Sequence, residues 1–395
     1  MTFPHAETNA DALGPSHPLV SGRTTESRLV RAYQGERQDV TPVWFMRQAG
    51  RSLPEYRELR VSSSMLDACL NPAVASEITL QPVRRHGVDA AIFFSDIVVP
   101  LRLAGVDVDI VPGKGPVLGH PIRTAADVAA LPPLDVASLA PVEDAVRLTV
   151  DALSGMGQGD TPLIGFAGAP FTLAAYLVEG GPSKDHIRAR TLMHADPDAW
   201  AGLMNWAADV TGAFLRAQIV AGASAAQLFD SWAGALSLAD YSEHVAPASA
   251  RALGAVRELA YSVQVADAAS ADAADVVAPA QRNVPIVHFG VGTGELLSAM
   301  HEVGADVIGV DYRVPLDEAS RRLGHVVPLQ GNLDPALLHA PWQTLEAHIV
   351  DVLARGASAP SHVLNLGHGV PPETDPAVLT RIVEFVHGRS GDAAR

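Results

Sequence analysis

The chain has 395 residues, a formal charge of −16 at pH 7, 48% hydrophobic residues and 18% charged residues. The acidic surplus argues against nucleic-acid or anionic-membrane binding, and the apolar content supplies a large core, which excludes intrinsic disorder as the main description. The single cysteine, Cys69, allows neither an intrachain disulfide nor a Cys-rich zinc cluster, so a reducing, cytoplasmic setting is expected.

Met1–Pro18 has neither a basic n-region nor an apolar h-region, so it reads as a loose tail rather than a secretory signal. The tail is drawn over residues 1–27 and expected to be partly disordered. From there short runs rich in Val, Ile and Phe alternate with helical periodicity. The predicted strands are Val43–Met46, Ala90–Phe94, Leu163–Ala167, Ala225–Phe229, Pro285–Phe289, Val307–Val310, Val326–Leu329 and Val363–Leu366. Predicted helices include Pro197–Ala221, Ala239–Tyr261, Gly294–Val303, Pro315–Leu323 and Pro376–His387, with Asp196 and Asp375 as N-caps before Pro. Eight β-then-α units predict an α/β, single-domain (β/α)8 TIM barrel over residues 28–388. An Ala/Asp-rich stretch lacking aromatics, Val265–Arg282, reads as a surface insertion before the fifth strand, and residues 389–395 as a second tail. Apolar runs such as Ile97–Leu101 fall well short of the roughly 20 residues that a membrane helix needs.

Polar or Gly-rich groups follow these strands: Arg47 and Gln48, Asp96, Gly168, Asp230 and Ser231, Gly290, Asp311, Asn332 and His368. In a barrel the C-terminal strand ends converge on one mouth, so the set predicts one shared site. For any single residue, the ordinary polarity of loops is at least as good an explanation.

The window Pro42–Arg60 carries Arg47, Arg51, Arg57 and Arg60 against only Glu55 and Glu58. Guanidinium forks suit carboxylates, and screening acts over roughly 8 Å at physiological salt, so this local cluster predicts a polyanionic ligand despite the global charge. Pairing with surface Glu is the competing reading, strongest for Arg57. Asp96 ends an apolar strand, where an unpaired carboxylate is costly; it needs donors, a ligand cation or a salt bridge to a nearby Arg. Small residues in Gly165–Gly181 would let backbone approach a flat ligand, with Tyr176 following on a helix. His368 sits between Gly367 and Gly369. One motif points elsewhere: His288–Leu296 mimics the Gly-rich turn of S-adenosylmethionine-dependent methyltransferases, with Asp311 placed as a ribose-binding acid. Only about a hundred residues with three further candidate strands follow it, and a nucleotide-binding sheet opening there would leave the larger preceding half without a role, so a barrel loop binding phosphate or carboxylate is preferred.

Taken together, the chain resembles the uroporphyrinogen decarboxylase family. One family signature corresponds to Pro42–Tyr56 with its Met-Arg-Gln-Ala-Gly-Arg core, and a second to Gly165–Thr172, Gly-Phe-Ala-Gly-Ala-Pro-Phe-Thr. Matching segments at Phe94–Ile97, Val287–Leu296, Leu329–Pro335 and Asn365–Gly369 extend the resemblance from about Arg28 to His387. It implies a cofactor-free, metal-free homodimer of barrels converting the four acetate side chains of uroporphyrinogen to methyl groups, giving coproporphyrinogen and four CO2. It also implies Asp96 and Arg47 as catalytic residues. Implied substrate contacts are Arg47, Gln48, Ala49, Gly50, Arg51, Arg60, Asp96, Tyr176, Ser231 and His368. The proton donor stays open between Arg47, a water held by Arg, and a substrate carboxyl, because Arg keeps its proton at neutral pH. Two other functions remain to be separated. Corrinoid-linked methyltransferases share the barrel but need zinc with His and Cys ligands, and a tetrapyrrole carrier would bind through the same Arg rim without catalysis.

Overall fold

The computed structural model describes residues 13–61, 63–156, 160–263 and 280–389. Seven parallel strands form the central sheet: β1 (Ala91–Ile92), β2 (Leu163–Gly168), β3 (Ala225–Asp230), β4 (Ile286–Gly290), β5 (Val307–Gly309), β6 (Leu329–Leu333) and β7 (His362–Leu366). Their spatial order follows their order in the chain. Each connection carries helix, and the parallel strands are almost wholly buried, as helix-covered strands must be. The fold is therefore mixed α/β, with every C-terminal strand end on one edge.

The expected first strand, Val43–Met46, is reduced to a single bridge between Val43 and Leu364. This segment nevertheless reaches both ends of the sheet. The Leu364 N–H donates to Pro42 O at 2.8 Å, and the Asp89 N–H, just ahead of β1, donates to Val43 O at 2.8 Å. Inside, Gln330 donates to Gln227, Tyr33 donates to Gln330, and Trp44 donates to Tyr33. That buried polar chain ties the segment to β3 and β6 and satisfies groups that would otherwise be costly to bury.

The predicted strand Val326–Leu329 is displaced to Leu329–Leu333, with Val326 73% exposed. The apolar run misleads because β6 carries polar residues, Gln330 and Asn332, whose amides find partners inside the protein. Likewise Ala239–Tyr261 divides into Leu238–His244 and Ala246–Arg257, the second opening with Pro247 in its first turn, and Ala260–Val263 becomes a strand. Proline fits a helix start but not its interior. Pro197–Ala221 and Pro376–Gly388 form where expected, with Asp196 Oδ1 accepting from the Ala199 N–H and Asp375 Oδ1 from the Ala377 N–H.

Ala260–Val263 pairs antiparallel with Ala280–Asn283, so the described end of the expected insertion, residues 280–282, is ribbon. Residues 264–279, 1–12 and 390–395 lie outside the described part. Residues 13–27 are packed rather than loose. Leu13 and Leu19 are buried, His17 Nε2 lies 2.8 Å from Ile219 O, and Thr24 bonds to Ser224 just ahead of β3. This segment therefore covers strand starts, leaving the opposite edge open.

Candidate active site

Asp96 follows β1 on the open edge. Its Oδ1 accepts from the Val98 N–H at 3.0 Å; among the described residues no other hydrogen bond or cation within 4 Å engages the carboxylate. The salt bridge to a nearby Arg, the alternative way of satisfying this carboxylate, is absent among the described residues. The residue is half-buried, and burial raises its pKa above the ordinary carboxylate value, opposed by the Val98 N–H and the Arg47 charge. An acid held this way retains open acceptor capacity.

The four clustered arginines divide into two pairs. Arg57 donates to Arg51 O at 2.7 Å and to Ser52 O, clamping its own loop rather than meeting Glu. Arg60 donates to Ser63 O at 2.8 Å and to Ser64 O, and lies 5.9 Å from the Tyr56 ring centroid. Arg47 and Arg51 are exposed, and no hydrogen bond or ion pair holds either guanidinium among the described residues. Arg51, Tyr56, Arg57, Arg60 and Pro372 line an open depression of about 440 Å³. Asp96 is not in that lining. The connection is lateral: the Tyr56 ring packs edge-on against Phe94 at 5.8 Å, two residues before Asp96.

Arg47 adopts φ 62°, uncommon outside glycine, and its aliphatic stem lies across Gly369; a Cβ there would stand 2.4 Å from Arg47 Cδ. The Val370 N–H donates to Met46 O at 2.8 Å, locking the β7 loop beside the Arg47 loop. His368 is exposed at this junction. Its pKa is lowered, by partial desolvation first and then by Arg47 and Arg313. Tyr176, on the helix Pro170–Glu179, has its phenol pushed up to about 12 by burial and the Asp96 charge, with Arg47 opposing. Asp96, Arg47, Tyr176 and His368 thus share one electrostatic neighbourhood, although they span 321 positions from first to last.

Gln48 is used differently from the expectation. It is fully buried, its Oε1 accepting the Phe45 N–H and its Nε2 donating to Ala90 O, both at 3.0 Å. The side chain fastens the Arg47 loop to β1 and does not reach the mouth. Ala49, Gly50 and Ser231 are half-buried. Asp230 is completely buried between Thr172, whose hydroxyl lies 3.0 Å from its Oδ1, and His288, whose Nε2 lies 3.6 Å from its Oδ2. Asp311 accepts from the Gly292 N–H at 2.6 Å and pairs with Arg313 at 2.5 Å. The acid that the methyltransferase-like motif would offer to a ribose is therefore committed to its own loop.

Five further residues were given no role by the sequence. Trp232 stacks on Tyr176 at 3.8 Å and on His186 at 4.3 Å, fixing the phenol between β2 and β3. Arg313 adds a second cation near His368, after Arg47, and lies 4.5 Å from the Tyr312 ring centroid. Phe166, Phe229 and Phe289 form an edge-to-face ladder across β2, β3 and β4. An aromatic directly after Ser231 was the available signal for Trp232; nothing local marked Arg313.

The arrangement combines a poorly partnered acid, unpaired guanidiniums, a phenol and an apolar aromatic wall. Unpaired guanidiniums near a carboxylate with open acceptor capacity suit a polycarboxylated ligand. The family described as "Uroporphyrinogen decarboxylase (URO-D)" matches residues 24–389. The chain is 72% identical over 382 residues to the uroporphyrinogen decarboxylase of Leifsonia xyli, covering 95% of this chain and 98% of that one. It is 64% identical to that of Arthrobacter sp., covering 94% and 99%. Among solved structures it resembles a methyltransferase from Methanosarcina mazei with a TM-score of 0.73 over 93% of this chain and 98% of that one. At 18% identity this likeness concerns the fold alone. Nearly full-length matches at such identities, on a chain whose signature loops build this site, establish that it belongs to the uroporphyrinogen decarboxylase family.

Proposed function

We infer that this chain is a carboxy-lyase that removes CO2 from the four acetate side chains of uroporphyrinogen, yielding coproporphyrinogen for tetrapyrrole synthesis. The observation that carries the reading is Asp96, a half-buried carboxylate with one backbone donor and acceptor capacity left open. Converging pyrrole N–H groups would supply the missing partners, at roughly 1.5–3 kcal/mol for each charge-assisted bond. Arg47 and Arg51 would grip peripheral carboxylates, with Arg60 supporting the rim and Ser231, Tyr176, His368 and the Ala49–Gly50 backbone positioning the reacting arm.

Loss of CO2 from an acetate needs an electron sink, and the pyrrole ring itself can serve. Protonation at a ring carbon creates a cation conjugated to the acetate. The carbon–carboxylate bond then breaks, its electron pair neutralises the ring, and reprotonation of the exocyclic carbon with loss of the ring proton leaves methyl. Each round consumes one proton and releases one CO2. The Asp96 carboxylate below the ring would stabilise the cation, a preorganised electrostatic effect of the kind that contributes several kcal/mol in a water-poor site. Arg47 stands nearest to the role of delivering the proton, directly or through a held water.

In this reading the Val43 segment closes the seven strands into a complete (β/α)8 barrel spanning residues 28–388. The protein works without cofactor or metal in the decarboxylation, as a cytoplasmic homodimer. The buried Cys69 fits a reducing compartment, and among the described residues no helix is long and apolar enough to cross a membrane.

Anaerobic incubation with uroporphyrinogen tests the function. The expected products are porphyrinogens with seven, six, five and finally four carboxylates, and Asp96→Ala is expected to abolish them while the thermal transition persists. A wild-type protein that returned substrate unchanged would be a carrier, and near-normal turnover by Asp96→Ala would overturn the central role of the acid.

A further inference from the structure

The helix Ile187–Ala195 ends with His194 in its last turn, and the helix Leu238–His244 carries Asp240 and His244 four residues apart on one face. None of the three belongs to the mouth described above. One donor atom from each lies within 4.8 Å of the other two. His194 Nε2 is 3.5 Å from Asp240 Oδ1, and the two imidazoles cross at 88° with centroids 5.6 Å apart. Asp240 and His244 keep side-chain exposures of 20% and 17%, so two donors are half-sheltered while His194, at 55%, stays free to adjust.

Ligands around a tetrahedral Zn2+ at roughly 2.0–2.1 Å stand about 3.3 Å from one another. The His194–Asp240 separation of 3.5 Å is close to that spacing, and with all three donor atoms within 4.8 Å of one another only small side-chain adjustments are needed. The backbones beneath are fixed. Trp200 Nε1 donates to His244 O at 3.1 Å, and the Asp196 cap joins the His194 helix directly to the one carrying Trp200. Glu243, exposed, lies 3.9 Å from His244 Nε2, close enough to turn toward an ion.

We propose that His194, Asp240 and His244 form a binding site for a divalent first-row transition-metal ion of the Zn2+, Co2+, Ni2+ or Cu2+ class, separate from the decarboxylation site. Two imidazoles and one carboxylate select this class over Mg2+ and Ca2+, which require oxygen ligands. Three protein ligands leave at least one position for water. The bound ion bridges two elements on either side of Trp232: the His194 helix begins immediately after His186, which stacks on that indole, and the Asp240 helix follows the loop that holds it.

The test uses the full-length protein stripped with chelator and dialysed against Zn2+, then analysed for metal content and thermal stability. One tightly held ion per chain and a raised Tm are expected. Substitution with Co2+ reads the ligand set through its visible absorption. His194→Gln, at a half-exposed side chain, should lose the ion and the spectrum. Asp240→Asn should weaken binding at least tenfold, and His120→Ala, at an exposed histidine elsewhere, should change neither. Absence of binding at micromolar Zn2+, or a stoichiometry and Co2+ spectrum unaltered in His194→Gln, would overturn the proposal.

Discussion

Gly369→Ala is expected to disable the site by moving one side chain without unfolding the protein. The added Cβ would stand 2.4 Å from Arg47 Cδ, 2.8 Å from Cγ and 3.0 Å from Nε. All three belong to a flexible, exposed side chain that can swing away, so the expected stability cost is small, within about 0.5 kcal/mol. What is lost is the placement of the guanidinium. A charge-assisted bond to a substrate carboxylate is worth roughly 1.5–3 kcal/mol, so kcat/KM should fall about 10- to 150-fold. Gly367→Ala is the control, because its Cβ would meet the Tyr312 backbone N at 2.2 Å and Cα at 2.7 Å. Backbone cannot step aside, and overpacking of this kind costs roughly 1–3 kcal/mol or more. The paired assay is anaerobic turnover with a thermal melt of each variant. If Gly369→Ala retained kcat/KM within twofold, the position of Arg47 would not matter to the reaction. If its Tm fell as far as that of Gly367→Ala, the effect would be structural.

Asp96→Asn should raise Tm near neutral pH while abolishing turnover. Burial raises the folded-state pKa of Asp96, so folding is opposed as pH climbs through that value. The gain should vanish below about pH 4, where both folded and unfolded carboxyls are protonated; a gain independent of pH, or none, would contradict an ionised, desolvated acid. His17 is held to a pKa of about 4, chiefly by burial; its Nδ1 accepts the Leu19 N–H while its other nitrogen faces Ile219 O, so a second proton breaks a bond. Its stabilising contribution is complete above the ordinary value of 6.5 and lost as pH falls toward 4, and His17→Gln should flatten that part of the Tm-against-pH profile. Arg51→Lys should raise KM several-fold with kcat little changed, because an ammonium cannot reproduce the guanidinium fork; an unchanged KM would remove Arg51 from carboxylate binding.

Strand-end chemistry was only partly legible in the sequence. Asp96 and Asp230 read alike, each a carboxylate closing an apolar run. Asp96 retains open acceptor capacity, whereas Asp230 is buried between Thr172 and His288. The direction of a strand-end side chain depends on where the pleat stops, and a shift of one residue reverses it. The arginine window has the same ambiguity. Four guanidiniums within fourteen residues announce an anion site, but the local turns decide that Arg57 and Arg60 hold backbone carbonyls while Arg47 and Arg51 stay unpaired. The role of Gln48 as a brace is settled by the nearness of Ala90, which no spacing along the chain reports.

By itself the sequence determined the α/β alternation, most strand positions, the helix caps at Asp196 and Asp375, and the family, because these depend on short-range periodicity, backbone capping and signature loops. Tertiary structure alone decided that Tyr176, Trp232 and His186 stack, that Arg313 joins Arg47 beside His368, and that His194 meets Asp240 and His244. Those meetings join residues from different βα units. They are fixed by how the sheet sets one strand end beside the next, a relation between distant segments that local patterns do not encode.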